Sequence, residues 1–167
     1  MSDAVPTDLQ IRRVPAIEAA AAARALAGLV RGVDDPDAAG FAGHVADRGG
    51  IPVLAGIRDP RGGPTEPDDP ALVFAAAADG PLDVEALAAL AADAVAAATD
   101  AGLARLVSGC DPMDLPTLRA LESAGFRTVG RQPWFALGGG QVEFVTGYAD
   151  ATGATLDVAA DCRPSPS

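Results

Sequence analysis

Lysine is absent from this 167-residue chain, histidine occurs once, cysteine twice, and aromatic residues make up only 4%. Each shortage removes a class of chemistry. Without lysine there is no phosphate loop of the G-x-x-x-x-G-K type, and with His44 as the single imidazole no Ser-His-Asp set stands out. Cys110 and Cys162 lie far apart and, with one histidine, fall short of the ligand set that a zinc or iron–sulfur site requires. Basic charge is also scarce: 12 arginines face 23 acidic residues, for a net charge of -11. Nucleic-acid binders concentrate basic surface to neutralise phosphates, so neither nucleic acid nor an anionic membrane is an expected partner. The same field attracts cations, which makes a small amine or a basic peptide the easier substrate. The amino terminus, MSDAVPTD, carries acids where a signal peptide carries bases, and the alanine run behind it is broken by Glu18 and Arg24. A cytoplasmic protein is expected.

What is present is one domain's worth of chain, 49% hydrophobic, with much of that alanine. Periodicity is therefore read from Leu, Ile, Val and Phe. LQIRRV (9–14), closed by Pro15, predicts a strand. Residues 16–31 predict a helix whose stripe is Ala22, Leu26, Leu29, Val30 and Val33. Asp35 and Pro36 make an N-cap pair, and Phe41 with Val45 an i, i+4 contact, so a second short helix is expected to about Arg48, ended by Gly49 and Gly50. Strands follow at 51–57 and 71–78, separated by a Pro-, Gly- and Asp-rich connection. Residues 83–101 form the clearest helix, with Val84, Leu87, Leu90, Ala91, Ala94 and Val95 on one stripe and Gly102 behind it. A strand at 103–110 then completes a strand, helix, strand unit, which places two parallel strands in one sheet. Asp114 caps a last helix with Leu115, Leu118 and Leu121 inward, and Gly125 stops it before a strand from Phe126 that bends at Pro133. Residues 142–148 predict a further strand, and 155–159 an edge strand.

This order, together with AGLARLVSGCDPMDLPTLRALESAGFRTVGR over residues 101–131, resembles the GNAT superfamily of acyl-CoA N-acyltransferases. The likeness implies an α/β domain over 8–160, a central mixed sheet flanked by about four helices, with 1–7 and 161–167 as disordered tails. It implies acetyl-CoA as co-substrate, a small-molecule or peptide amine as acceptor, and leaves a homodimer open. The family holds the pantetheine arm on a splayed strand and the pyrophosphate at a helix N-terminus. Carried over, the cofactor residues are Ala76, Ala77 and Ala78 on the strand, Gly80 and Leu82 in the loop, Asp83 and Val84 at the helix opening, and Asp114.

Three departures from the family accompany the likeness. The loop reads DGPLDVEA where relatives carry R/Q-x-x-G-x-G/A, and Asp83 and Glu85 suit the helix dipole but oppose a bound pyrophosphate. Leu121 stands where many members carry a proton-donating tyrosine, leaving Ser108 and Cys110 as the nearby catalytic substitutes or as ordinary small strand residues. Only two strands are visible between Gly50 and Asp83, where the family usually shows three. A catalytically inactive GNAT-like binding or regulatory module is the alternative, and an unrelated α/β domain a third reading. They separate on whether the strands at 71–78 and 103–110 part. Elsewhere, Gly138 to Gly140 read as an anion nest or a hairpin loop, His44 as a general base or a surface or packing residue on a helix, and Trp134 and Phe135 as core or as rings stacked on a ligand.

Overall fold

The computed structural model describes residues 8–27, 43–59, 71–76, 82–133 and 154–162. In chain order these give β1 (Leu9–Val14), α1 (Ala16–Ala27), β2 (Gly43–Arg48), β3 (Ile51–Asp59), β4 (Ala71–Ala76), α2 (Val84–Asp100), β5 (Arg105–Cys110), α3 (Leu115–Ser123), β6 (Arg127–Pro133) and β7 (Ala154–Asp161). The seven strands form one mixed sheet in the order β1-β2-β3-β4-β5-β7-β6. Only β4 and β5 run parallel; the other neighbours are antiparallel. The mixed sheet and the strand, helix, strand unit are as the sequence predicts. Among the described residues there are three helices, and none is long and apolar enough to cross a membrane.

The sequence reading is corrected at several places, among them Leu115 and Val84, expected on buried helix faces but 52% and 38% exposed. Residues 43–48 are strand β2, not the end of a second helix, and Gly49 and Gly50 are the two-residue turn of a β2–β3 hairpin, with φ of 62° and 81°. Turns of that hand need two positive φ angles, which glycine adopts without cost. β7 is interior rather than an edge, since it pairs with β5 on one side and β6 on the other. It runs to Asp161, and buried Cys162 donates its N–H to the Ala104 carbonyl. The face that α1 buries is Ala19, Ala20 and Ala23, with Ala22 and Leu26 only half-buried. A Cβ on Gly43 would lie 2.2 Å from the Ala19 Cβ, so the helix sits on β2 only because both residues are small. The expected stripe residues Leu29, Val30 and Val33, the first part of the second helix, the strand at 142–148, the glycines at 138–140, Trp134 and Phe135 lie outside the described residues.

Helices cover both faces. On one, α1 packs with Val14, Val45, Ala55 and Ile57. On the other, α2 and α3 pack together, with Leu72, Leu106, Leu121, Phe126 and Val158 in the core beneath them. The alanines of α2 let it lie close to the sheet: Ala86, Ala91, Ala94 and Ala98 are all fully buried. Leu54 and Leu90 complete that core toward β2 and β3.

One polar cluster ties α2 to the β1–β2 edge. Arg13 and His44 are cross-strand partners. Both bind Asp93, Arg13 through Nε at 3.2 Å and His44 through Nδ1 at 2.8 Å, while Arg13 also reaches Asp100 at 3.1 Å. His44 is therefore a fully buried strand residue, far from any role on an exposed helix. Burial holds its imidazole below the ordinary value, against the opposing pull of Asp93. Burial likewise raises the Asp93 carboxyl, but the bonds from Arg13 and His44 outweigh it and leave that group below its usual range. As pH falls below about 6.5 the unfolded chain protonates its histidine first, so the native state loses stability on acidification. Asp93 contributes to this only below about pH 4. The melting temperature is expected to drop between pH 7.5 and 5.5, and His44→Gln, which removes the only histidine, to flatten that slope.

Candidate active site

β4 and β5 meet and then part. A single register pair, Ala71 with Val107, joins them, although each strand has six residues. On its other side β4 pairs with β3 along its whole length, without a shift in register. The main-chain groups that point away from β3 therefore face an opening. Their identity follows from the strand period of two: the Leu72 carbonyl points toward β5, where it accepts the Ser108 hydroxyl at 2.9 Å, so the groups of Phe74 and Ala76 point the same way.

The opening is a cleft of about 440 Å³. Leu54, Leu72, Phe74 and Ala76 floor it, Leu82 and Leu87 wall it from the α2 side, and Ser108, Gly109, Cys110, Asp111, Asp114 and Thr117 wall it from β5 and α3. An apolar floor with exposed strand amides suits a long, thin, amide-bearing ligand.

At the α2 end, Asp83 is the N-cap and accepts the Ala86 N–H at 3.0 Å. Arg48, at the tip of the β2–β3 hairpin, donates to the Asp83 carboxylate through Nε at 2.8 Å and Nη2 at 3.2 Å, and Nη2 also reaches Glu85 at 3.2 Å. The Arg48 bond is the main reason that the Asp83 carboxyl lies below its usual range. The two acids that oppose an anion here are thus partly neutralised by a base the sequence places 35 residues away.

At the α3 end, Asp114 is also an N-cap, accepting the Thr117 N–H at 3.2 Å and the Thr117 hydroxyl at 2.6 Å. The Cys110 thiol is buried and pushed up to about 11, chiefly by burial, with Asp114 and Asp111 adding. At neutral pH it is neither a thiolate nucleophile nor a ready acid.

Of the residues named from the sequence, the structure gathers Ala76, Leu82, Ser108, Cys110 and Asp114 around one cleft. Asp83 and Val84 stand at the opening of α2, with Val84 exposed. Ala77, Ala78 and Gly80 lie outside the described residues. Leu121 faces the core, fully buried, and the α3 side chain on the cleft is Thr117, one turn earlier. The third departure disappears: β2 is the strand that the count lacked, so three strands precede α2 on the sheet after α1. Sequence reasoning missed Arg48, Phe74 and Thr117. Thr117 carried a signal, since it is the residue three positions after the Asp114 cap; Arg48 carried none until its strand was known.

A strand pair that forks beside a helix N-terminus, in a sheet of this order, defines the GNAT acetyltransferase fold, and the chain has that fold. An acetyltransferase of the GNAT family from Streptococcus pneumoniae superposes with a TM-score of 0.61 at 12% identity over 92% of this chain and 99% of that one. A Salmonella typhimurium protein assigned as an acetyltransferase and solved with its cofactor acetyl-CoA gives 0.65 at 12% identity, covering 95% and 96%. The ribosomal-protein-S18-alanine N-acetyltransferase of Escherichia coli gives 0.62 at 12% identity, covering 95% and 97%. No family model matches the sequence, and no curated protein matches it.

Proposed function

We propose that the protein is an acyl-CoA-dependent N-acyltransferase of the cytoplasm, moving an acetyl group from acetyl-CoA to the amine of a small molecule or peptide. The observation that carries this reading is the open fork: β4 presents the main-chain groups of Phe74 and Ala76 to a cleft that none of the described strands closes. The donor set fits the cofactor, because an amide-bearing arm can pair with those groups as a partial third strand, over an apolar floor. Bound acetyl-CoA supplies an activated thioester, whose carbonyl a neutral amine attacks to give the amide and free CoA thiol. The protein's share is positioning and polarisation: an N–H of Phe74 or Ala76 within the fork is aimed where negative charge develops on the carbonyl oxygen. Arg48 offsets Asp83 and Glu85 at the helix opening, which lowers the local repulsion of a pyrophosphate.

A second reading, a GNAT-like binding or regulatory module without transfer, is favoured by one feature. No described side chain on the cleft is a good proton donor for a departing thiolate: Leu121 points elsewhere, and Cys110, at about 11, is a weaker acid than an ordinary thiol near 8.5. Calorimetric titration with acetyl-CoA tests the shared part and an amine-panel assay the rest. Saturable heat with transfer supports the enzyme, and saturable heat without transfer the module. No heat and no thermal shift at millimolar acetyl-CoA would remove the first reading.

A further inference from the structure

We infer that Ser108 is a positioning residue that pins the apex of the fork, setting where β4 and β5 part, and that it does not serve as the proton donor; this rests on the acyl-CoA reading for its functional meaning. Beyond the Ala71–Val107 pair a regular parallel ladder would satisfy the Leu72 carbonyl with a backbone N–H of β5. Here the Ser108 hydroxyl donates to that carbonyl at 2.9 Å, from a residue only 4% exposed. A side-chain donor reaches across a wider gap than a backbone amide does. The bond therefore secures the first carbonyl past the junction while leaving the strands apart, and the groups of Phe74 and Ala76 further along stay available.

The same bond decides Ser108's chemistry. A hydroxyl has one proton to donate, and this one is committed to Leu72. Cys110, two residues on, lines the same wall. It belongs to the core cluster with Leu106 and Leu121 and carries a thiol, and Ser108 is the one hydroxyl residue of β5.

The test uses the full chain and three variants: Ser108→Ala and Ser108→Cys remove the strong donor with little change of volume, and Ser108→Thr retains it. Two readouts are taken, hydrogen exchange of the amides at Phe74, Ala76 and Gly109 without ligand, and acetyl-CoA affinity by calorimetry with steady-state rates where transfer occurs. The Ala and Cys variants are expected to change exchange at those three amides, and to weaken affinity by roughly fivefold to tenfold, the size of one buried hydrogen bond. The turnover number should stay near wild type, and Thr should restore both readouts. Wild-type exchange in the Ala and Cys variants overturns the pin. So does a fall in turnover number with affinity unchanged, which is the mark of a proton donor. If wild type itself binds no acetyl-CoA, the acyl-CoA reading fails, and the exchange pattern alone still decides whether Ser108 holds the apex.

Discussion

Ala76→Phe is expected to weaken acetyl-CoA binding by about a hundredfold or more, equivalent to roughly 2.7 kcal/mol. Ala76 is the last residue of β4, half-buried, in register with Leu54 and on the floor of the cleft. A phenyl group there enters a space bounded by Leu82, Leu87 and Thr117, the space that the arm of the cofactor needs. Overpacking a filled core costs about 1 to 3 kcal/mol, but this site opens to solvent, so the ring can enter it without displacing packed neighbours. The melting temperature should therefore move by no more than a few degrees while affinity collapses. Ile51→Ser, at the 69% exposed start of β3, is the control and should bind as wild type. Calorimetry and thermal melts on the three proteins decide the matter. Undiminished binding by Ala76→Phe would mean that the ligand, if any, uses another surface.

How much of this could be read from the sequence follows from where tertiary contacts override local pattern. The β4–α2–β5 unit was legible because each part announces itself: ALVF is apolar throughout, α2 carries a stripe of period 3.6, and Asp83 and Gly102 bracket it. α3 was legible for the same reason, through Asp114 and Gly125. β2 was not, because GHVADR lacks apolar alternation and its polar members are held by partners remote in sequence, His44 by Asp93 and Asp47 by Arg12. A signal existed in Gly49 and Gly50: two glycines between a polar run and IPVLAG are a hairpin pattern, and taking them as a helix stop cost the strand. The interior place of β7 could not be read from chain order, which says nothing about insertion between two earlier strands.

The candidate site was legible in its members more than in their roles. The resemblance put Leu121 at the place of a tyrosine, but a helix turns 100° per residue, so its cleft face is set by its docking and not by its distance from the end. Docked on α2 and the sheet, α3 turns Leu121 and Ala120 inward and leaves Thr117 and Asp114 at the cleft. Asp83 looked like an obstacle to an anion because its partner is remote in sequence. Folding of the hairpin brings Arg48 to it, and the local charge at the helix opening changes.

The role of Leu121 gives the second large effect. Leu121→Tyr, which supplies a tyrosine where the resemblance places one, is expected to destabilise the protein by about 3 kcal/mol and to leave any transfer rate unimproved. Leu121 is 0% exposed among Leu72, Ala94, Ala98, Leu106, Phe126 and Val158. The ring overpacks that cluster, at about 1 to 3 kcal/mol, and the hydroxyl enters an apolar site without an assigned partner, at about 1 to 3 kcal/mol more. Leu121→Phe carries the first cost without the second, so the difference between the two variants in chemical denaturation isolates the hydroxyl. A tyrosine there that left stability intact and raised the rate would mean that α3 can turn this position to the cleft. The face that now presents Thr117 would then not be fixed by the packing of α3 on α2, and the proton donor would have a place on this helix after all.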